Sequence, residues 1–190
     1  MRKSKKAEES RRSFLKKGVV ASSFFIVPRY VLGGTGYTAP SDRLNIAAIG
    51  AGGKGSSDIF NASVKGRERI AALCDVDFSG SAKKSVTNFP DAKLYKDYRV
   101  MLDEMKDIDA VTISTPDHSH GPAALYAMQR GVHVYVQKPI SVDVLEGEAM
   151  VAAARKYGKT VQVGTQRKST PHLIEAKREI VDKGLLGKIA

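Results

Sequence analysis

Gly50, Gly52 and Gly55 stand in the run Gly50-Ala51-Gly52-Gly53-Lys54-Gly55, after an apolar stretch, Leu44 to Ile49, and before a helical pattern. About 20 residues beyond the last glycine, Asp75 closes a second apolar stretch, Ile70-Ala71-Ala72-Leu73-Cys74. This spacing suits phosphate chemistry. Gly50 allows a tight turn, Gly52 lets backbone approach a pyrophosphate, and Gly55 lets helix pack close to strand. The helix N-terminus, opened by Gly53 and Lys54, presents free N–H groups and a partial positive charge to the phosphates. Asp75 would accept hydrogen bonds from a ribose 2′-hydroxyl and repel a 2′-phosphate, which favours NAD over NADP. Glycines alone would be a weak signal. Strand, turn, helix, strand and acid in that order make a dinucleotide site the expectation, with a plain glycine-rich loop as the alternative.

Three further segments carry reactive side chains: Thr115-Pro116-Asp117-His118-Ser119-His120, Gln137-Lys138-Pro139 and Gly164-Thr165-Gln166-Arg167. Each follows an apolar stretch. In a doubly wound sheet all three would lie beyond the carboxyl ends of strands, where ligands bind, and would rim one cleft with the glycine turn and Asp75. His118 and His120 form an i, i+2 pair in a turn, with no third ligand at a recognisable spacing, so no metal is expected. His133 reads as structural. Arg167 could meet a phosphate or a substrate as readily as solvent.

These segments need a scaffold, and the rest of the chain supplies its pattern. Strands are expected at Leu44–Ile49, Arg69–Cys74, Lys93–Tyr95, Ala110–Ser114, His133–Val136 and Thr160–Val163. They are short and rich in Val, Ile and Ala, as buried parallel strands are. Helices are expected at Ser56–Ala62, Ser79–Asn88, Tyr98–Lys106, Pro122–Arg130, Val142–Tyr157 and Pro171–Lys183. The helix from Val142 has Ser141 as its expected N-cap and Gly158 as its stop. Val142, Leu145, Ala149, Ala152 and Ala153 form its expected apolar face. Repeated strand–helix units imply an α/β fold, a doubly wound parallel sheet. The single cysteine, Cys74, can form no internal disulfide and reads as a small core residue.

The net charge of +11 is unevenly placed, with nine Lys/Arg and two acids in residues 1–39. The rest has an ordinary balance, so charge gives no reason to expect a nucleic-acid partner. Ser10-Arg11-Arg12-Ser13-Phe14-Leu15-Lys16 has the twin-arginine pattern of an export signal, and Gly18–Val27 is an apolar stretch of ten residues. Ten are too few to span a bilayer, so no stable membrane anchor is expected. A basic start and a short apolar core imply export by the twin-arginine machinery to the periplasm or beyond; a basic tail is the alternative. Cleavage is expected between Leu32 and Ser41. Export of a folded protein would let it take up dinucleotide before leaving the cytoplasm.

From about Arg43 to Ala190 the chain resembles the Gfo/Idh/MocA family of oxidoreductases. The resemblance rests on Gly50–Gly55, Cys74-Asp75, Thr115-Pro116 with His120, and Gly131-Val132-His133-Val134-Tyr135-Val136-Gln137-Lys138-Pro139. It implies a Rossmann NAD(P)-binding domain in which Thr115 and Pro116 contact dinucleotide and His120 lies beside the cofactor cleft. It also implies that Lys138, in the place of the lysine of a Glu-Lys-Pro motif, acts near the nicotinamide and the substrate hydroxyl. A partly desolvated lysine beside a cationic ring would favour its neutral form and could take that proton. The family's Glu is Gln137 here. This variant, with the Gly164-Thr165-Gln166 segment, resembles the family's exported branch and puts Gln137, Pro139 and Gln166 at the cofactor site.

The resemblance implies three regions: a signal and linker at 1–40, a dinucleotide domain at 41–184, and the start of a truncated substrate domain at 185–190. The missing domain would supply the substrate wall and the face for a homo-oligomer, so this chain alone would turn over little. The expected function is hydride transfer between a sugar or polyol hydroxyl and NAD. An NAD-dependent glycosidase working by oxidation and elimination, and a non-enzymatic dinucleotide-binding fragment, are the alternatives.

Overall fold

A computed structural model describes residues 39–188. The chain divides into two compact units, Met1–Asp42 and Arg43–Ala190. The described part of the first is a 3-10 turn, Pro40–Asp42, in which the Asp42 N–H donates to the Ala39 carbonyl at 2.8 Å. The Arg11-Arg12 pair, the apolar stretch after it and most of the expected cleavage region lie outside the described residues.

The second unit is built on six parallel strands: β1 (Asn45–Ile49), β2 (Arg69–Cys74), β3 (Lys93–Tyr95), β4 (Ala110–Ile113), β5 (His133–Gln137) and β6 (Val161–Gly164). Their order across the sheet is β3-β2-β1-β4-β5-β6. Six α-helices connect or follow them: α1 (Lys54–Ala62), α2 (Lys83–Asn88), α3 (Tyr98–Glu104), α4 (His120–Gln129), α5 (Val144–Tyr157) and α6 (Pro171–Ala176). This is a doubly wound α/β sheet, with the chain reversing its direction of travel between β1 and β4.

Side chains of β1 alternate between two cores, as the pleat requires, whereas in β2 the successive Ala71 and Ala72 share one core beside a register shift in the β1–β2 pair. Ile46, Ala48, Ile70 and Leu73 pack with Ile59 of α1 and Ala82 before α2. On the opposite face Ala47, Ile49, Val111, Ile113, Val134 and Val136 pack with residues of α3, α4 and α5.

All six helices differ from the expected limits at one end or both, and in two of them a local side-chain bond sets the start. The helix expected from Ser79 starts at Lys83. Asp77 holds the intervening residues in a turn. Its Oδ1 accepts from the Gly80 N–H at 2.9 Å and its Oδ2 from the Ser81 N–H at 3.0 Å. Such side-chain bonds compete with helix. In α5 the N-cap is Asp143, not Ser141: Asp143 Oδ1 accepts from the Glu146 N–H at 2.8 Å, while the Ser141 hydroxyl donates to the Asp143 carbonyl. Gly158 ends α5 in the left-handed conformation, as expected.

The buried face of α5 matches the expected one only at Ala153. Met150 and Ala153 enter the core, with Ala154 and Tyr157 packed at its edge, and Leu145 is 75% exposed. Apolar residues lie all round this helix, so two faces met the helical spacing. The sheet selects the one carrying Met150. After α6 the backbone widens into a π turn, Lys177–Val181. No helix among the described residues is long and apolar enough to cross a membrane.

Candidate dinucleotide site

The strands end at one edge of the sheet, and the glycine turn sits there. Gly50 leaves β1 with φ 79°, and its N–H donates to the Cys74 carbonyl at 2.9 Å, which pins the turn to the end of β2. A Cβ on Gly50 would come within 2.8 Å of the Ser114 backbone, and one on Gly55 would overlap the Gly50 carbonyl oxygen. Gly55 therefore permits the close helix–strand approach expected of it. Gly52 has a further constraint: a Cβ there would lie 2.6 Å from Ser81 Oγ. Gly53 caps α1 with φ 50° and has open space around it, so backbone conformation alone favours glycine.

Asp75 is folded onto this turn. Its Oδ2 accepts from the N–H groups of Ala51 and Gly52 at 2.9 and 3.0 Å, and its Oδ1 accepts from Asp77 at 2.9 Å. The same carboxylate borders a cleft of about 580 Å³ that also has Gly50, Gly52, Ser81, Thr115 and Pro116 in its wall. The cleft lies between β1 and β4, where doubly wound sheets bind dinucleotides. Thr115 Oγ1 is buried beside it with no hydrogen-bond partner. A buried hydroxyl usually has a partner, so this orphan and the glycine cradle both fit a bound polar group. The Cys74 thiol in the same wall is pushed up to about 12, chiefly by burial and then by the Asp97 and Asp75 carboxylates.

The other expected residues are placed differently. His120 is 1% exposed and lies below the Thr115 turn. Its Nε2 is 2.8 Å from the Thr115 carbonyl and its Nδ1 is 2.6 Å from the Pro139 carbonyl. It therefore joins two loops and does not line the cleft. Lys138 is exposed at the end of β5, followed by a cis peptide bond to Pro139. The desolvation expected for that lysine is absent among the described residues. Gln137 is buried, and its side chain turns inward. Gln166 and Lys54 border a second cleft, of about 320 Å³, which shares no lining residue with the first. Thus the glycine turn, Asp75 and the Thr115 turn share one cleft; the Lys138 and Gln166 segments stand apart from it. Among the described residues no three His, Cys, Asp or Glu side chains are grouped to hold a metal.

Asp58, Ser81 and Ser114 are polar residues of this edge that the motifs did not single out. Only the i, i+4 spacing of Lys54 and Asp58 on a helix could have flagged one of them.

The fold and the glycine cradle define an NAD-binding domain of the doubly wound class. Residues 44–165 match the family described as GFO_IDH_MocA, the oxidoreductase family with an NAD-binding Rossmann fold. The chain belongs to this family. An uncharacterized oxidoreductase, YrbE of Bacillus subtilis, is 33% identical over 139 residues, which is 73% of this chain and 40% of that protein. Inositol 2-dehydrogenase of Salmonella typhimurium is 28% identical over 149 residues, 76% of this chain and 43% of the relative. Among solved structures, myo-inositol 2-dehydrogenase from Lactobacillus plantarum superposes with a TM-score of 0.67 at 29% identity, covering 77% of this chain and 43% of that one. The WlbA dehydrogenase of Chromobacterium violaceum, solved with NADH and UDP-GlcNAcA, gives 0.64 at 27% identity, covering 74% and 40%. The chain therefore spans less than half the length of these relatives.

Proposed function

We propose that this chain is the cofactor half of an exported NAD-dependent oxidoreductase that moves hydride between the carbinol carbon of a sugar or polyol and the nicotinamide. The observation that carries the reading is the cleft between β1 and β4, with its glycine cradle, Asp75 carboxylate and orphaned Thr115 hydroxyl. Bound NAD supplies the acceptor or donor of hydride. The Gly50–Gly55 turn and the first turn of α1 hold its pyrophosphate, and Asp75 holds a ribose hydroxyl. Thr115 Oγ1 gains a partner, and Pro116 borders the same site.

Lys138 Nζ takes the substrate hydroxyl proton during oxidation and returns it during reduction. Its exposure at the carboxyl end of β5 leaves it open to a substrate. The sugar or polyol class follows from the named relatives, inositol dehydrogenases and a dehydrogenase bound to UDP-GlcNAcA. On this reading the substrate wall and any homo-oligomer face lie beyond the span that this chain shares with those relatives. Export is supported by Arg11-Arg12 and the apolar stretch Gly18–Val27, with residues 1–40 as signal and linker.

The test uses protein of the full natural gene, offered NAD and a panel of sugars and polyols, with nicotinamide absorbance as the readout. Turnover of at least one is expected. Lys138→Ala should lower kcat about 100-fold or more while NADH affinity stays within about threefold. Equal small effects on both would remove the proton-transfer role. For export, the conservative pair Arg11→Lys and Arg12→Lys should leave the protein in the cytoplasm. Unchanged export would refute the twin-arginine route.

A further inference from the structure

Beneath the glycine turn lies a polar cluster, and four of its members, Lys54, Asp58, Tyr135 and Gln166, border the second cleft. Asp58, on the second turn of α1, has a side chain only 5% exposed. Its Oδ1 pairs with Lys54 Nζ. Its Oδ2 accepts from Ser114 Oγ at 2.8 Å and from Gln137 Nε2 at 2.6 Å. The far side of the Gln137 amide is also occupied, because its Oε1 accepts from Gln166 Nε2 at 2.7 Å. Gln166 Nε2 also lies 3.3 Å from the Tyr135 hydroxyl. One carboxylate thus ties α1 to the ends of β4 and β5, and through Gln137 to the segment after β6.

We propose that Asp58 is a positioning residue for the nicotinamide end of the site, acting through Gln137 and Gln166. Lys138 follows Gln137 directly and is exposed, yet both its neighbours are anchored. Gln137 is held by Asp58 and Gln166, and the Pro139 carbonyl is held by His120. The lysine is therefore presented from a backbone fixed relative to α1, whose N-terminus meets the pyrophosphate. Asp58 also dictates the residue at 137. A glutamate there would set a second carboxylate against Asp58 in a buried place, with only Lys54 to balance the pair. A neutral amide donates to Asp58 and still accepts from Gln166.

This inference rests on the dinucleotide reading, and its test separates the two. NADH and ADP-ribose binding are measured by calorimetry on wild type, Gln137→Glu and the double variant Asp58→Asn/Gln137→Glu. In Gln137→Glu, NADH affinity should fall about tenfold while ADP-ribose affinity stays within about twofold, since the adenosine cleft is separate. The double variant restores a donor opposite the new carboxylate and should regain NADH affinity to within about threefold of wild type.

Equal loss for both ligands, no loss, or no rescue would overturn the proposal. Should wild type bind neither ligand, the cofactor reading fails, and thermal melting still tests the brace. Gln137→Glu should melt below wild type by a gap that is wider at pH 8 than at pH 5, because one of two facing carboxylates is protonated in acid. The double variant should close that gap. A gap that is absent, independent of pH or not closed would contradict the brace.

Discussion

Asp75 shows how one side chain can hold a turn and still border a cleft. Three backbone N–H groups converge on its carboxylate, two of them from the glycine turn. Sequence spacing pointed to this residue for its ribose contact, but hydrogen bonds back to the turn leave no trace in spacing. The glycines were more legible, because a tight turn and a close helix can be inferred from the absence of Cβ. Ser81 was not legible: its contact with Gly52 comes from the Asp77 turn, which shortens α2. Gly50→Ala should destabilise the domain by about 1–3 kcal/mol, since it adds a Cβ at φ 79° against the Ser114 backbone. Denaturant unfolding measures this, and a change near zero would contradict the close approach.

Cys74 makes a pH prediction. In the unfolded chain its thiol ionises near its ordinary 9.0, whereas in the fold it holds its proton up to about 12. Between those values the unfolded state binds fewer protons. This contribution is therefore full below about pH 9 and is lost as pH rises toward 12. The stability difference between wild type and Cys74→Ala should shift against wild type across that window. A constant difference would show that the thiol ionises equally in both states.

At the scale of elements, the strands were the most legible part of the chain. β2 and β3 have the expected limits, and each remaining strand differs by a residue or so at an end. In β1, β2 and β4 the buried runs of Val, Ile and Ala leave little choice of face or type. Helix ends were less legible because Asp77 and Asp143 form local bonds that their positions alone do not announce. The face of α5 was misjudged because a helix with apolar residues all round it takes its orientation from the sheet. Two substitutions test that face. Met150→Ala should cost about 2–5 kcal/mol, and Leu145→Ala less than about 0.5 kcal/mol. Asp143→Ala should cost about 1 kcal/mol through the lost cap, and Ser141→Ala much less. Reversed orders in thermal or denaturant unfolding would contradict the register of α5.

At the scale of the whole molecule, sequence order and spatial grouping part company. The motifs after β4, β5 and β6 all lie at the carboxyl edge of the sheet, as parallel strands require. They do not form one cleft here. The Thr115 turn joins the glycine turn and Asp75, while Gln137 turns beneath α1 and leaves Lys138 exposed beyond it. His120 and Asp58, both buried, connect these parts. Linear spacing could place the motifs at one edge but could not distinguish lining residues from bracing ones, because that depends on which rotamers the packed strands allow. The family match confirms an NAD-binding Rossmann domain over residues 44–165, and the relatives extend well beyond the span shared with this chain.

The central claim is that the cleft between β1 and β4 is an NAD site built on the glycine turn. Titration of the purified protein with NADH, followed by nicotinamide fluorescence, tests it most directly when run beside Gly52→Val. The account predicts saturable binding by wild type and a loss of at least about tenfold in a variant that remains folded by circular dichroism. Folded wild type that binds no NADH, or a folded Gly52→Val that binds it equally well, would contradict it.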